Sequence, residues 1–143
     1  MIHSLIPSDI FPIQTIHEYP NDYHQCTKEA KWEKEHHQRP KITDYVHQFS
    51  LYDNIFVCYP NWWSTIPMAL FTFFECHDTK QKNIIPLCTH EGSGMGESIR
   101  NLKNLCPGTY VFDGLAIVGS QVKDSKEMII SYLKDLNLID YDY

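Results

Sequence analysis

Short apolar runs alternate with polar stretches marked by proline and glycine, and the lengths of those runs set the first expectations. Ile55 to Tyr59 is an apolar run bounded by Asp53-Asn54 and Pro60-Asn61, which predicts a strand buried on both faces, as in a parallel sheet. Asn83 to Thr89 (NIIPLCT) predicts a second buried strand, with Pro86 awkward for a central position. Thr109 to Val118 predicts a further strand. Between these runs the period lengthens. Met68, Leu70, Phe71 and Phe74 mark a helix over Met68 to Glu75, opened by Pro67. Ile99 to Leu105 predicts another, closed by Cys106-Pro107-Gly108, and Met128, Ile129, Tyr132, Leu133 and Leu136 line one side of a last helix from Asp124 to Leu136. Strands alternating with helices from residue 54 onward argue for an α/β domain built on a doubly wound parallel sheet.

The first fifty residues are less regular. Ile2, Leu5 and Ile6 have the spacing of one apolar helix face, and Asp9 to Ile16 (DIFPIQTI) alternates in part around Pro12, which predicts an edge strand. A polar helix is expected over Tyr23 to His37, where Lys28, Lys31 and Lys34 interleave with Glu29, Glu33 and Glu35 as an exposed charged face. His36-His37 reads as a solvated helix end rather than a metal site, because adjacent helical residues point in different directions and no further ligand falls at suitable spacing. Val46, Phe49 and Leu51 are the expected apolar anchors before the first central strand. Ser120 to Asp124 reads as a connecting loop, and the acidic end Ile139 to Tyr143 as a frayed tail.

Composition narrows the class. With 143 residues and 43% apolar side chains, the chain suits one domain with a proper core, and no segment is long and apolar enough to span a membrane. Twelve basic against eighteen acidic residues give a net charge of −6, which argues against nucleic acid or an anionic membrane surface as a partner. Five cysteines, an odd number without CxxC spacing, and the lack of a signal peptide predict a soluble protein in a reducing, cytoplasmic setting. Cys58 and Cys88, in predicted buried strands, read as small hydrophobes rather than redox groups.

The chemistry is concentrated in two loops. After the first central strand, Trp62 and Trp63 are followed by Ser64, Thr65 and Pro67. They sit at the carboxyl end of a strand, where open α/β sheets bind ligands and a flat aromatic ligand would fit, although one indole is expected simply to pack beneath the loop. After the second strand comes His90 to Ser98 (HEGSGMGES), whose glycines let a backbone approach a ligand edge and offer its N–H groups. Strand, glycine-rich loop and helix can bind phosphate. Here no P-loop lysine follows, the pattern is not GxGxxG, and Glu91 stands where a nucleophile elbow needs glycine, so neither a nucleotide motif nor a serine hydrolase is indicated.

YDNIFVCYPNWWSTIPMALFTFFE, NIIPLCTHEGSGMGESIRNLKNLCPG and TYVFDGLAI together resemble the flavodoxin family, in particular its short-chain flavodoxin-like members, from about Asp9 to Leu136. The resemblance implies a flavodoxin-like three-layer doubly wound parallel sheet with FMN at the carboxyl ends of the strands. It places Pro60, Asn61, Trp62, Trp63, Ser64 and Thr65 on one side of the isoalloxazine ring and Thr89, His90, Glu91, Gly92, Ser93 and Gly94 on the other.

Flavodoxins begin with a strand, a Ser/Thr/Gly phosphate loop and a helix, which at mean element lengths amount to roughly 20 to 25 residues. This sequence matches the family only from the end of that helix, so residues 1–143 read as a single flavodoxin-like domain, N-terminally truncated and missing its first strand. The missing strand would lie between the second and third, so Asp9 to Ile16 must pair directly with Ile55 to Tyr59, shift, or meet another chain. Three readings follow: an FMN-binding electron-transfer protein working with redox partner proteins, or a flavin-dependent reductase; a non-catalytic scaffold that has lost FMN and forms a homodimer or larger oligomer through its sheet edge; or a chain whose natural start lies further upstream. The lack of a nicotinamide fingerprint favours a carrier over an NAD(P)H oxidoreductase.

Overall fold

A computed structural model describes residues 1–140 of the chain. The helices are α1 (Ile2–Leu5), α2 (Tyr23–Glu35), α3 (Met68–Glu75), α4 (Ser98–Leu105) and α5 (Lys126–Asp135), and the strands are β1 (Asn54–Pro60), β2 (Asn83–His90), β3 (Tyr110–Val111) and β4 (Leu115–Val118). All pairings within the sheet are parallel: β1 lies beside β2 along its whole length, and β3 and β4 take successive segments of the opposite edge of β2.

That division answers the difficulty posed by Pro86. The expected strand from Thr109 to Val118 is interrupted at Phe112–Gly114, between the part that pairs with Asn83 and Ile84 and the part that pairs with Leu87 to His90. Ile84 offers its carbonyl to Phe112 N–H across this edge. Alternate residues of a strand face the same neighbour, so Pro86 faces the interruption, where its missing N–H leaves no ladder bond unmade.

Helices cover both faces. Val57, Tyr59, Ile84 and Cys88 pack with Leu70, Phe73 and Phe74 of α3 and Leu102 of α4 in one core, while Ile117 packs with Ile129, Ile130 and Leu133 of α5 and Leu5 of α1 in the other. β2 is buried on both sides, as the apolar run predicted. β1 is not. Val57 and Tyr59 are buried but Cys58 and Pro60 are exposed, and among the described residues β1 has a neighbouring strand on one side only. The reading of Cys58 as a buried hydrophobe is thereby corrected.

Asp9 to Ile16 is not a strand of the sheet. It has shifted: Thr15 bridges Ile42 in an antiparallel pairing outside the sheet, while Phe11 and Ile13 rest on the α3 core, with the Phe11 and Phe73 ring centres 5.7 Å apart. Its partial alternation thus records one-sided packing rather than a ladder. Phe49 and Val46 anchor the approach to β1, but Leu51 is 71% exposed. Gly119–Asp124, expected as a loop, is a 3-10 turn. Of the expected frayed tail, Ile139 packs on the α5 core and residues 141–143 lie outside the described part.

The polar segment forms α2, capped by the Asp22 carboxylate accepting from Gln25 N–H at 2.9 Å. Its charged residues are not all on an exposed face: Glu33 is 7% exposed. Cys26, Ala30 and Glu33 share one side of the helix at i, i+4 and i+7, and that side turns inward.

Candidate functional site

The loop after β1 is a tight hairpin. Trp62 and Thr65 exchange backbone hydrogen bonds at 2.9 and 3.3 Å, and the two residues between them, Trp63 and Ser64, have φ of 54° and 69°. Two successive left-handed residues match a type I′ turn, where Asn-Gly is the usual solution. With side chains other than glycine each costs roughly 1–2 kcal/mol. The surroundings hold the turn in place. Lys34 Nζ donates to the Trp63 carbonyl, Trp63 Nε1–H donates to the Thr27 carbonyl at 2.9 Å, and the Lys31 ammonium lies 5.3 Å from the Trp63 ring centre. The three partners are on α2, the helix whose charges carried no expected chemistry.

The glycine-rich loop after β2 closes against this hairpin. Asn61 N–H donates to the Thr89 carbonyl and Asn61 Nδ2 to the Gly94 carbonyl, both at 2.8 Å. Glu97 N–H donates to the Ser64 carbonyl, and Asn101 Nδ2 to Thr65 Oγ1. Gly96 passes so close that a Cβ there would stand 2.4 Å from Ser64 O. The two loops are therefore one interlocked unit across the carboxyl ends of β1 and β2.

Within it the predicted residues divide. Thr65 is 1% exposed with its hydroxyl taken by Asn101, so it holds the loops together from inside. Asn61 and Thr89 do the same through the bonds above. Trp63 is 44% exposed, Trp62 is half-buried with its ring edge-on to Tyr19 at 5.2 Å and 84°, and Pro60, Ser64, Glu91, Gly92 and Ser93 are exposed. His90 is half-exposed and its Nδ1 accepts from Gly92 N–H at 2.9 Å, which fixes the turn out of β2. Gly94 is half-buried. The backbone N–H groups of Ser93 and Gly94 meet no acceptor among the described residues, and the space beside the Cα atoms of Gly92 and Gly94 is open for at least 4 Å.

Exposed indole surface, free N–H donors and open space beside glycines are what a flat ring with a polar edge requires. The residues present thus fit an isoalloxazine ring. A groove lined by Lys103, Tyr110, Phe112, Asp113 and Tyr132 includes none of them. No cluster of potential metal ligands occurs among the described residues, and no helix there is long and apolar enough to cross a membrane.

The sequence reading missed Tyr19, Lys34, Gly96, Glu97 and Asn101. Glu33 belongs with them: it is buried and accepts from Tyr19 Oη at 3.1 and 2.8 Å. The i, i+4, i+7 spacing from Cys26 was the signal that could have found it. The loop-to-loop contacts join residues between 28 (Asn61 to Thr89) and 36 (Thr65 to Asn101) positions apart and carry no local pattern.

A comparison with curated proteins found no match. Among solved structures, a protein of Bacteroides eggerthii assigned as a flavoprotein superposes with a TM-score of 0.80 at 25% identity, over 97% of this chain and 87% of that one. Another from Bacteroides uniformis gives 0.77 at 23% identity, over 90% and 85%. A Lactobacillus acidophilus flavoprotein in complex with FMN gives 0.61 at 16% identity, over 78% and 76%, a likeness of fold. The sequence pattern of the flavodoxin family matches residues 7–133, a span that contains the four strands and both interlocked loops. By sequence and by fold, this chain belongs to the flavodoxin family.

Proposed function

We propose that this protein binds FMN between the hairpin after β1 and the glycine-rich loop after β2 and serves as an electron-transfer protein. The observation that carries the reading is the interlocking of these loops at the carboxyl ends of two parallel strands, with Trp63 exposed and the Ser93 and Gly94 N–H groups free. When bound, FMN would supply reversible redox chemistry, and the protein's part is to orient it and set its electrostatics. Trp62 and Trp63 offer stacking surface, and the Ser93 and Gly94 N–H groups would donate to the ring's polar edge, in a loop whose turn out of β2 is fixed by His90. Glu91 and the net charge of −6 disfavour extra negative charge on the ring and lower its potential. Five free cysteines fit a reducing, cytoplasmic setting.

Anaerobic reduction of the FMN-loaded protein tests the role. A carrier is reduced by a chemical reductant and reoxidised by a one-electron acceptor protein, whereas rapid bleaching by NADH or NADPH alone would make it a flavin-dependent reductase.

A second reading is favoured by one feature: among the described residues β1 has a strand on one side only, and Cys58 in it is exposed. A chain of residues 1–143 that fails to hold FMN would serve as a scaffold joined through that edge to a second copy. Sedimentation in the absence and presence of FMN separates a dimer of this kind from a flavin-binding monomer.

A further inference from the structure

Glu33 is a carboxylate almost wholly withdrawn from water on a surface helix, and burying such a group is costly unless its oxygens are satisfied. The hydrogen-bond partner it has is Tyr19 Oη, whose single O–H is shared between the two oxygens, at 3.1 and 2.8 Å. The same Tyr19 ring stands edge-on against Trp62, centres 5.2 Å apart and planes at 84°. Tyr19 therefore cannot swing away from Trp62 without stranding the buried carboxylate.

We propose that Glu33 and Tyr19 are positioning residues of the flavin site, the carboxylate fixing the Tyr19 ring and that ring fixing the plane of Trp62. The inference rests on the placement of FMN between the two loops. The charged groups facing Glu33 are Glu29 of the same helix and His17 of the preceding segment, and these two pair with each other. Burial pushes the Glu33 carboxyl up from its usual range, the Tyr19 hydroxyl draws it down, Glu29 adds to the rise and His17 opposes it. A leucine at position 33 would suit the inward face beside Ala30 without any of this, and replacing buried charge with apolar packing is often harmless to stability. Orientation of Tyr19 is what such a leucine would lose.

The test uses a chain in which Trp32→Phe and Trp63→Phe leave Trp62 as the sole indole, so that its fluorescence is read without any flavin. Glu33→Leu should free Tyr19, lower the anisotropy of Trp62 and shift its emission to the red. Glu33→Gln still accepts from the Tyr19 hydroxyl and should restore both signals. In the chain with all three tryptophans, Glu33→Leu should raise the Kd for FMN roughly tenfold, as expected for losing one preorganised aromatic face, and Glu33→Gln should stay within about threefold, a small free-energy change. Should Glu33→Leu not fold, Tyr19→Phe keeps the ring, deletes only the hydroxyl and takes the same readout. An unchanged Trp62 signal in folded Glu33→Leu or Tyr19→Phe overturns the proposal, as does a glutamine variant that behaves like the leucine one. Absence of FMN binding to the parent chain would remove the flavin reading alone, because the Trp62 signal decides the positioning claim without ligand.

Discussion

Gly96→Ala is the substitution that should open the interlocked loops. The added methyl would stand 2.4 Å from Ser64 O and 2.8 Å from Ser64 C, and both are backbone atoms that cannot rotate aside. The residue sits at φ 54°, where alanine costs roughly 1–2 kcal/mol. Displacing Ser64 also removes the hydrogen bond from Glu97 N–H, about 1 kcal/mol, and overpacking adds roughly 1–3 kcal/mol. The full cost is about 3 to 6 kcal/mol if nothing yields, less if the loops part locally instead. Gly94→Ala is the matched control: its φ is 64°, yet nothing lies within 4 Å of the added carbon, so only the conformational cost of roughly 1–2 kcal/mol applies. Urea unfolding at constant m-value should show Gly96→Ala less stable than Gly94→Ala by about 2 kcal/mol or more. Equal losses in the two variants would refute the close approach of the loops.

Other outcomes follow from single side chains. Trp63→Ala should weaken FMN binding roughly tenfold by removing a stacking face, measured by flavin fluorescence; an unchanged Kd would move the ring away from the hairpin. Among the described residues the buried Tyr59 Oη meets at most the Ser98 hydroxyl, so Tyr59→Phe should change stability by no more than about 1 kcal/mol in urea unfolding, and a larger loss would reveal a further partner. Cys58 and Cys76 are exposed, though partial burial raises the Cys58 thiol, while Cys88 and Cys106 are buried with pKa values pushed to about 11. A thiol reagent near neutral pH should therefore label the first pair in the native protein and the second only on unfolding. Because burial raises the folded pKa of Cys88 and Cys106 above the usual 9.0, the folded state binds their protons more tightly. That contribution to stability is complete below about pH 9 and is lost as pH rises through about 11; thermal unfolding across this range would show it, and a flat profile would contradict it.

The elements that came through most clearly in the sequence are those whose pattern is local. Met68–Glu75 has the predicted bounds because Pro67 opens it and its apolar residues leave a polar turn after it, and β2 is buried throughout because its run is apolar at every position. β1 carries the same kind of run, but its burial depends on neighbours that composition does not reveal, which is why Cys58 is exposed. Phe11 and Ile13 alternate as strand residues do, yet their spacing is satisfied by resting on α3. At the site, the loops were legible and their mutual lock was not. The turn at Trp63-Ser64 lacks the glycine or asparagine that signals φ above zero, and its supports at Thr27, Lys34 and Asn101 come from distant segments.

Equilibrium titration of the purified chain with FMN, followed by quenching of flavin fluorescence, tests the central claim most directly. The account predicts saturable quenching with one flavin per chain, weakened together by Trp63→Ala and Gly96→Ala. Fluorescence that stays unquenched up to millimolar FMN, in a chain shown to be folded, would contradict it.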